Sequence, residues 1–465
     1  MSKLYVFGIG GTGSRVLKSL TMLLAAGVEC KVGSIVPIII DPDDAAADLT
    51  RTVETMKKYN AVREKLDFTV SCKNQFFRTE ILQDVQNFRL PLNNTRDMKF
   101  KDYMAVEQMD DNNKALINML FSDTNLQSNM KVGFKGNPNI GSVVLNQFAD
   151  SPEFVDFANN FQQGDRIFII SSIFGGTGAS GFPLLLKTLR SNNKIPNFKL
   201  IQDAPIGAIS VLPYFKVKQD ENSTIDSSTF ISKTKSALSY YERNISDNRS
   251  VSTLYYVSDS ENQKPYDNHE GGAEQKNNAH FIELVSALAI LDFVKNDINN
   301  PITIHKEFGI ETDSEQVIFK NLGNVSRDLL RKRLTQFLLF TKYLNDECQK
   351  EYKYQPWAID RKIKSDFFKS DFYADLQRVQ NDFLVWLDEL DNNDRKFSPF
   401  ELVHARPIFD RIKGEEPRKS PFRNYALFDD KLNKQKISES TKDEQKFVEL
   451  FYQATEELVN QKFNF

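Results

Sequence analysis

Cysteine is scarce in this sequence. The 465 residues include three cysteines, Cys30, Cys72 and Cys348, which lie far apart along the chain. Three scattered thiols are too few for a disulfide framework, and they do not form the ligand set of a zinc site. This scarcity excludes the small disulfide-stabilised and zinc-stabilised folds, and it is typical of proteins from a reducing compartment.

Long hydrophobic runs and a large excess of charge are also missing. No apolar run approaches the ~18 residues of a transmembrane helix, and the first residues enter the strand-like run Leu4–Phe7 without the pattern of a signal peptide. The net charge is -3, and the basic stretch around Arg406–Lys436 is typical of a solvated surface. We therefore expect a cytoplasmic protein with no membrane segment and no nucleic-acid partner.

Short apolar runs alternate with amphipathic stretches up to about residue 300. This alternation predicts an α/β fold, in which helices cover a mostly parallel sheet. The predicted strands are Leu4–Phe7, Ile35–Ile40, Lys131–Phe134, Arg166–Ser171, Ala208–Leu212 and Val251–Val257. The predicted helices are Ser14–Ala26, Ala179–Arg190, Thr229–Arg243 and Asn278–Asp297. In the last of these, apolar residues recur at helical spacing, which predicts a central helix.

A glycine-rich loop follows the first predicted strand. It reads Gly8-Ile9-Gly10-Gly11-Thr12-Gly13-Ser14 and leads into a helix. Glycine lets a phosphate approach the main-chain amides at the positive end of a helix. We predict that a nucleotide phosphate is bound by Gly8, Gly10, Gly11, Thr12, Gly13 and Ser14. Taken alone, this motif also fits a dinucleotide-binding Rossmann domain, an adenylating enzyme, or a tight turn without a ligand.

Acidic residues follow the second predicted strand. The run Asp41-Pro42-Asp43-Asp44 precedes three alanines. A carboxylate at this position can meet a ribose hydroxyl or hold Mg²⁺ against phosphates. We predict that Asp41 and Asp43 contact the nucleotide and that Asp43 and Asp44 bind the metal. A helix N-cap is the alternative role for each of these residues.

A second strand, glycine-rich loop and helix occur some 160 residues after the first. The loop reads Phe174-Gly175-Gly176-Thr177-Gly178-Ala179-Ser180-Gly181. Here the chain resembles the tubulin/FtsZ superfamily, and more narrowly its prokaryotic tubulin-like proteins, whose signature is G-G-G-T-G-[ST]-G. The first signature glycine is Phe174 and the serine stands one place later than in tubulin. The resemblance assigns the phosphate to Gly175, Gly176, Thr177, Gly178 and Ser180.

Further segments follow the order of that superfamily. Asp41-Pro42-Asp43 is similar to the Asn-Thr-Asp loop of FtsZ, and the segment from Gly133 to Gly141 is similar to its loop facing the terminal phosphate. The resemblance therefore adds Gly136 and Asn137 to the phosphate site. It also places Asn278, at the start of the central helix, against the base, because an amide offers a donor and an acceptor. An N-cap role for Asn277 or Asn278 is the alternative.

The resemblance implies a fold and a function. It implies a tubulin/FtsZ-like Rossmann-type nucleotide-binding domain with a central helix over residues 1–298, followed by a mainly helical C-terminal domain over residues 299–465. The implied cofactors are GTP or GDP, rather than ATP, and Mg²⁺. The implied partner is a second copy of the chain, joined head-to-tail into an oligomer or filament. The nucleotide would lie at the subunit interface and be hydrolysed slowly there.

The sequence departs from the superfamily after the central helix. Residues 295–307 contain no clean match to the loop whose acid orients the attacking water in the next subunit, so a GTPase activity is open and no catalytic residue is assigned. A different class of function is a non-polymerising, nucleotide-gated module that binds a partner protein through its C-terminal helical region. A third is an adenylating or NAD-dependent enzyme that uses only the first glycine-rich loop.

Overall fold

The computed structural model describes most of the chain. The described residues are 2–68, 72–93, 95, 98–130, 133–134, 136–218, 229–246, 248, 250–259, 266, 272–274, 276–296, 302–308, 315–402, 406–420, 424–437 and 442–465. Within this part of the chain, no helix combines the length and apolar character that crossing a bilayer requires.

A parallel sheet forms the centre of the molecule. Its strands, with a separate short pair, are β1 (Lys3–Ile9), β2 (Ser34–Ile40), β3 (Glu80–Ile81), β4 (Arg166–Ser172), β5 (Ile206–Val211), β6 (Thr253–Val257), β7 (Ile304–Phe308), β8 (Gln316–Val317) and β9 (Lys396–Phe397). The seven-stranded sheet has the order β3-β2-β1-β4-β5-β6-β7, and every pair is parallel. Because helices cover both faces, β1, β2, β4 and β5 are buried almost throughout, as continuous apolar strands require.

Five of the six predicted strands are confirmed, and one is wrong where the structure describes it. The exception is Lys131–Phe134. Residues 131 and 132 lie outside the described part, whereas Gly133 adopts a positive φ of 88° and its amide donates to the carbonyl of Met130. The main chain therefore turns at Gly133 instead of extending. The structure also adds β7, which lies beyond residue 298, so the sheet continues past the predicted domain boundary.

The predicted helices are all present, with shifted ends. The helices are α1 (Gly10–Ala25), α2 (Ala47–Arg63), α3 (Phe100–Tyr103), α4 (Asp111–Leu120), α5 (Asp123–Leu126), α6 (Pro138–Val144), α7 (Pro152–Asn160), α8 (Gly176–Ser191), α9 (Phe198–Asp203), α10 (Phe230–Tyr241), α11 (Phe281–Lys295), α12 (Asn324–Tyr343), α13 (Gln349–Glu351), α14 (Pro356–Ile359), α15 (Asp371–Asp391), α16 (Asn424–Lys434) and α17 (Asp443–Lys462).

Helix α11 is the predicted central helix. Nearly all of its residues are buried, so it is apolar on every side rather than on one face. Near its end, the ring of Phe293 packs against Phe168 of β4, with centroids 5.4 Å apart. Near its start, the ring of Phe281 stacks on Phe397 of β9 at 5.7 Å. The helix therefore lies between the sheet and the C-terminal region.

The C-terminal region is mainly helical, and its core is rich in phenylalanine. Phe337 of α12 contacts Phe383 of α15, with ring centroids 4.9 Å apart, and Phe340 of α12 contacts Phe451 of α17 at 4.7 Å. Phe76, from the segment before β3, joins this cluster through Phe337 at 5.2 Å. Burial of these large rings supplies much of the hydrophobic stabilisation and joins the region to the sheet.

Candidate functional site

The first glycine-rich loop connects β1 to α1. Gly10 has a φ of 69°, and a Cβ on Gly13 would overlap the carbonyl of Gly8 and lie 2.6 Å from its Cα. Glycine is therefore required at both positions for the tight turn from strand to helix. The N-cap residue is Ile9, and no side chain among the described residues caps the helix. The amides of the first turn are thus left for another acceptor.

The second glycine-rich loop repeats this construction between β4 and α8. A Cβ on Gly178 would lie 2.6 Å from the carbonyl oxygen of Ser172, at the end of the strand. The N-cap residue is Gly175, which has no side chain, and no capping bond is formed within the described residues. The two predicted loops are therefore alike: each brings a helix N-terminus against the end of a parallel strand.

The two loops face each other at one edge of the sheet. Their strands are neighbours, since β1 pairs with β4 along Leu4–Gly8. A Cβ on Gly10 would lie 3.4 Å from the Cβ of Thr177 and 3.9 Å from the amide nitrogen of Gly178. Gly11, Thr12, Gly175 and Thr177 remain partly exposed. The geometry thus brings the amide ends of α1 and α8 together beside a surface that a ligand can reach.

A third loop joins them from the segment before α6. A Cβ on Gly176 would lie 3.1 Å from the amide nitrogens of both Gly136 and Asn137, and one on Gly133 would lie 3.9 Å from Pro42. The loops after β1, β2 and β4 and the loop before α6 therefore meet at the carboxyl edge of the sheet. This is where a doubly wound sheet places its ligand.

The two predicted serines bond to their own helices. Ser14 is buried and its hydroxyl lies 3.4 Å from the carbonyl of Gly10. Ser180 is buried as well, and its hydroxyl donates to the carbonyl of Gly176 at 2.7 Å. These hydroxyls support the first turns of α1 and α8, so the phosphate contacts would come from the main-chain amides around them.

The three aspartates after β2 differ in their surroundings. Asp41 is buried and accepts the amide of Asp43 at 3.0 Å. The pKa of Asp41 is raised to about 7, mainly by burial and also by repulsion from the Asp43 carboxylate, although the Asp43 amide, Arg89 and Arg15 oppose the shift. Asp43 accepts the amides of Ala45 at 3.1 Å and Gly272 at 2.6 Å, and Asp44 pairs with Arg89.

These contacts limit the metal that the residues could hold. Within the described residues there is no group of three or more His, Cys, Asp or Glu side chains with the spacing of a metal site. Mg²⁺ is compatible with the predicted pair because it binds one or two carboxylates and takes its other ligands from phosphates and water. Asp44 would first have to leave Arg89. Asp43 instead accepts a main-chain amide on each of its carboxylate oxygens.

The start of the central helix is capped by a residue that the sequence did not single out for this role. His280 is the N-cap of α11, and its Nδ1 accepts the amide of Ile282 at 3.1 Å. Glu283 completes the capping box by accepting the amide of His280 at 3.1 Å. The alternative N-cap role of Asn277 or Asn278 is therefore wrong. Asn278 is exposed in the loop before the helix.

A buried network of charges surrounds these loops. Arg15, directly after the first loop, pairs with Glu283 of α11 at 2.5 Å and with Asp48 of α2 at 3.4 Å. Burial raises the pKa of Glu283, whereas the Arg15 guanidinium opposes this shift. Arg51 extends the network, since it pairs with Asp48 and with Glu389 of α15, each at 2.6 Å. The Glu389 carboxylate also pairs with Lys18 at 2.9 Å. Sequence reasoning missed this network, because its members are up to 371 residues apart and form no local motif.

The buried His280 predicts an acid-side loss of stability. Burial lowers its pKa to about 4, so below pH 6.5 the unfolded chain takes up a proton that the folded chain refuses. The contribution of neutral His280 to the unfolding free energy is fully present above pH 6.5, and it is lost as the pH falls towards 4. The variant His280→Asn keeps an N-cap acceptor but has no imidazole to protonate. Between pH 7.5 and pH 5, we expect its unfolding free energy to fall by about 2 kcal/mol less than that of the wild type. Urea unfolding at both pH values measures this; parallel losses in the two proteins would contradict it.

Comparison with known proteins finds structural similarities at low TM-scores. No family model matches the chain, and no curated protein sequence matches it. Among solved structures, it is similar to CetZ2 from Haloferax volcanii, a GTPγS-bound protofilament, with a TM-score of 0.31, 14% identity, and coverage of 63% of this chain and 58% of that one. CetZ1 from Haloferax volcanii, a GDP-bound monomer, has a TM-score of 0.29 and 16% identity, with coverage of 55% of this chain and 51% of that one. A variant of FtsZ from M. jannaschii has a TM-score of 0.27 and 14% identity, with coverage of 55% of this chain and 46% of that one.

These similarities are limited. The chain spans between 46% and 58% of the length of these three structures. At such low identities and TM-scores, no residue role or activity follows from them. The resemblance to the tubulin/FtsZ superfamily therefore rests on the two glycine-rich loops of the sequence.

Proposed function

We propose that this chain binds the phosphate tail of GTP or GDP between its two glycine-rich loops and assembles head-to-tail with further copies. The convergence of the two loops carries this proposal. Helices α1 and α8 follow adjacent strands, and a Cβ added at Gly10 would lie 3.4 Å from the Cβ of Thr177. A single loop would fit several classes of protein. Two uncapped helix ends that point at one place favour an extended polyphosphate.

A lysine beside these loops also favours phosphate binding there. The ammonium of Lys233, on α10, lies 3.0 Å from the carbonyl oxygen of Gly136 in the third loop. A positive charge beside three sets of main-chain amides lowers the cost of bringing a highly charged phosphate tail to the protein surface. Lys233 had not been singled out in the sequence, because one lysine on an amphipathic helix carries no signal by itself.

The base and the metal remain proposals with named residues. Asn278 is the proposed base contact, because it is exposed in the loop just before α11. Asp43 is the proposed Mg²⁺ ligand, with Asp44 contributing if it leaves Arg89. When bound, the ion would neutralise charge on the phosphates. The chain's own part is to orient the phosphate tail with amides, and no catalytic residue is assigned.

A ligand screen tests nucleotide binding. A ligand that binds only the folded state raises the unfolding free energy by about 2.7 kcal/mol at one hundred times its Kd, which shifts the melting temperature by a few degrees. We expect GTP and GDP with Mg²⁺ to produce this shift, ATP a smaller one and NAD none. A response to NAD alone would favour the dehydrogenase class, and no response to any nucleotide would overturn the proposal.

Sedimentation tests assembly separately. A head-to-tail contact repeats indefinitely unless its rotation closes a ring, so GTP should transfer the protein to the pellet above a critical concentration. GDP should support assembly less well if the terminal phosphate contributes to the interface. Tight GTP binding without sedimentation would favour the other class of function, a nucleotide-gated module that binds a partner protein through the region from α12 to α17.

The ionisation of Asp41 predicts how binding depends on pH. Because burial raises its pKa to about 7, Asp41 loses its proton as the pH rises from 6 to 8. The new negative charge repels a nearby phosphate, so affinity for GTPγS without Mg²⁺ should fall about tenfold over this range. Asp41→Asn keeps an acceptor for the Asp43 amide and should remove the dependence. Equal pH profiles for wild type and variant, measured by calorimetry, would contradict this prediction.

Magnesium provides the complementary measurement. If an ionised Asp41 or Asp43 takes part in holding Mg²⁺, adding the ion should reverse the trend and strengthen GTPγS binding as the pH rises. If magnesium strengthens binding equally at pH 6 and pH 8, the ion is held by phosphate and water without these carboxylates.

A further inference from the structure

A separate cavity lies in the C-terminal region, among positively charged side chains. Its volume is about 560 Å³, and it is lined by Arg406, Arg411 and Lys350 together with Asp346 and Glu347. None of these residues belongs to the glycine-rich loops. The cavity wall carries three cations against two anions, a balance of +1.

The two acids of the wall already have partners. The hydroxyl of Tyr425 donates to Asp346 at 2.5 Å, and Glu347 pairs with Lys350 at 3.2 Å. In contrast, Arg411 is only 5% exposed, and its Nη1 has no hydrogen-bonding partner among the described residues. Its Nε donates to the carbonyl of Arg406 at 3.1 Å. A buried guanidinium with an unused donor is costly unless an acceptor is supplied.

A second buried cation stands close to Arg411. Lys342 of α12 is 6% exposed, and its ammonium lies 3.5 Å from the carbonyl of Leu402. Burial lowers the pKa of Lys342, and repulsion from Arg411 lowers it further, although Asp346 opposes this. The two cations therefore repel each other where neither is well solvated. A negative charge in the cavity would relieve this repulsion.

A helix end adds donors to the same cavity. Asn424 and Tyr425, the first two residues of α16, line it, and the first turn of α16 contains no acidic residue. The positive end of the helix dipole and the first amides therefore adjoin the arginines. Planar guanidinium groups combined with a helix N-terminus match the several acceptor oxygens of a phosphate group.

We propose that this cavity binds a small soluble anion bearing a phosphate group, held by Arg411, Arg406, Lys350 and the first turn of α16. The site is distinct from the nucleotide site proposed above and does not depend on it. The volume accommodates a phosphate or pyrophosphate group with part of the molecule that carries it. Occupation would tie α13, the segment around Arg411 and α16 together, and so stabilise the C-terminal region.

The test uses the full chain with Gly11→Arg, so that the glycine-rich loops do not contribute. Calorimetry and thermal shift would follow inorganic phosphate and pyrophosphate at constant ionic strength. We expect saturable binding, weakened about fivefold by Lys350→Met and abolished by Arg411→Met. The matched control is Arg378→Met, an exposed arginine on α15 with 63% of its side chain accessible, which should bind like its parent.

Several outcomes would overturn the proposal. One is no response to either anion, and another is a response that Lys350→Met and Arg378→Met leave equally unchanged. If Arg411→Met does not fold, Lys350→Met decides, because its side chain is 68% accessible and its replacement leaves the core intact. Flotation with phosphatidylcholine vesicles containing phosphatidic acid separates the sources: binding to vesicles without any response to phosphate or pyrophosphate would exclude a soluble ligand.

Discussion

Gly11→Arg is expected to abolish nucleotide binding while leaving the protein folded. Among the described residues, a Cβ at Gly11 would have one neighbour within 4 Å, the Arg15 guanidinium at 3.4 Å, so the substitution fits this part of the fold. The arginine side chain would then occupy the space in which a phosphate meets the amides of α1. Loss of two or three charge-assisted hydrogen bonds costs about 3 to 6 kcal/mol, so the Kd for GTPγS should rise at least a hundredfold.

Graded and matched variants make this prediction sharper. Gly11→Ala adds only a methyl group and should weaken binding less than Gly11→Arg. Gly323→Arg introduces the same side chain at an exposed glycine, where a Cβ would have no neighbouring atom of the described residues within 4 Å, and this variant should bind GTPγS like wild type. Gly13 is unsuitable for this purpose, because a Cβ there overlaps Gly8 and the fold itself would suffer. If Gly11→Arg is folded and retains wild-type affinity, the phosphate site is elsewhere.

Glu389→Leu is expected to cause the largest loss of stability. Its carboxylate, only 7% exposed, pairs with Lys18 of α1 at 2.9 Å and Arg51 of α2 at 2.6 Å. It also accepts the amide of Ala279, before α11, at 3.1 Å. Leucine would leave the buried Lys18, the partly buried Arg51 and an amide without this acceptor, which costs about 3 to 5 kcal/mol. Urea unfolding measures the loss.

Two neighbouring substitutions serve as controls for Glu389. Glu389→Gln keeps acceptor capacity but not the charge, and should lose less than the leucine variant. Asp388→Leu changes the adjacent, exposed acid of the same helix, and should alter the unfolding free energy by no more than about 0.5 kcal/mol. If Glu389→Leu loses as little as Asp388→Leu, the network does not hold the C-terminal region to the sheet.

Local patterns predicted the parts of this fold that depend on neighbouring residues. Continuous apolar runs predicted β1, β2, β4, β5 and β6, since strands buried on both faces have this composition. Glycine spacing after β1 and β4 predicted two tight turns into helices, because only glycine permits the close approach of helix and strand. The strand predicted at Lys131–Phe134 was wrong because the segment has few apolar residues and Gly133 turns the chain.

Tertiary structure alone decided which of these parts meet. The pairing of β1 with β4 brings Gly10 to Thr177, and no local pattern specifies that pairing across 160 residues. Likewise Glu389, Arg51 and Lys18 are ordinary charged residues in their own helices, and only packing turns them into a buried network. The sequence therefore determined the two amide-lined turns by local sterics, whereas the long-range contacts that make them one candidate site arise from the folded sheet.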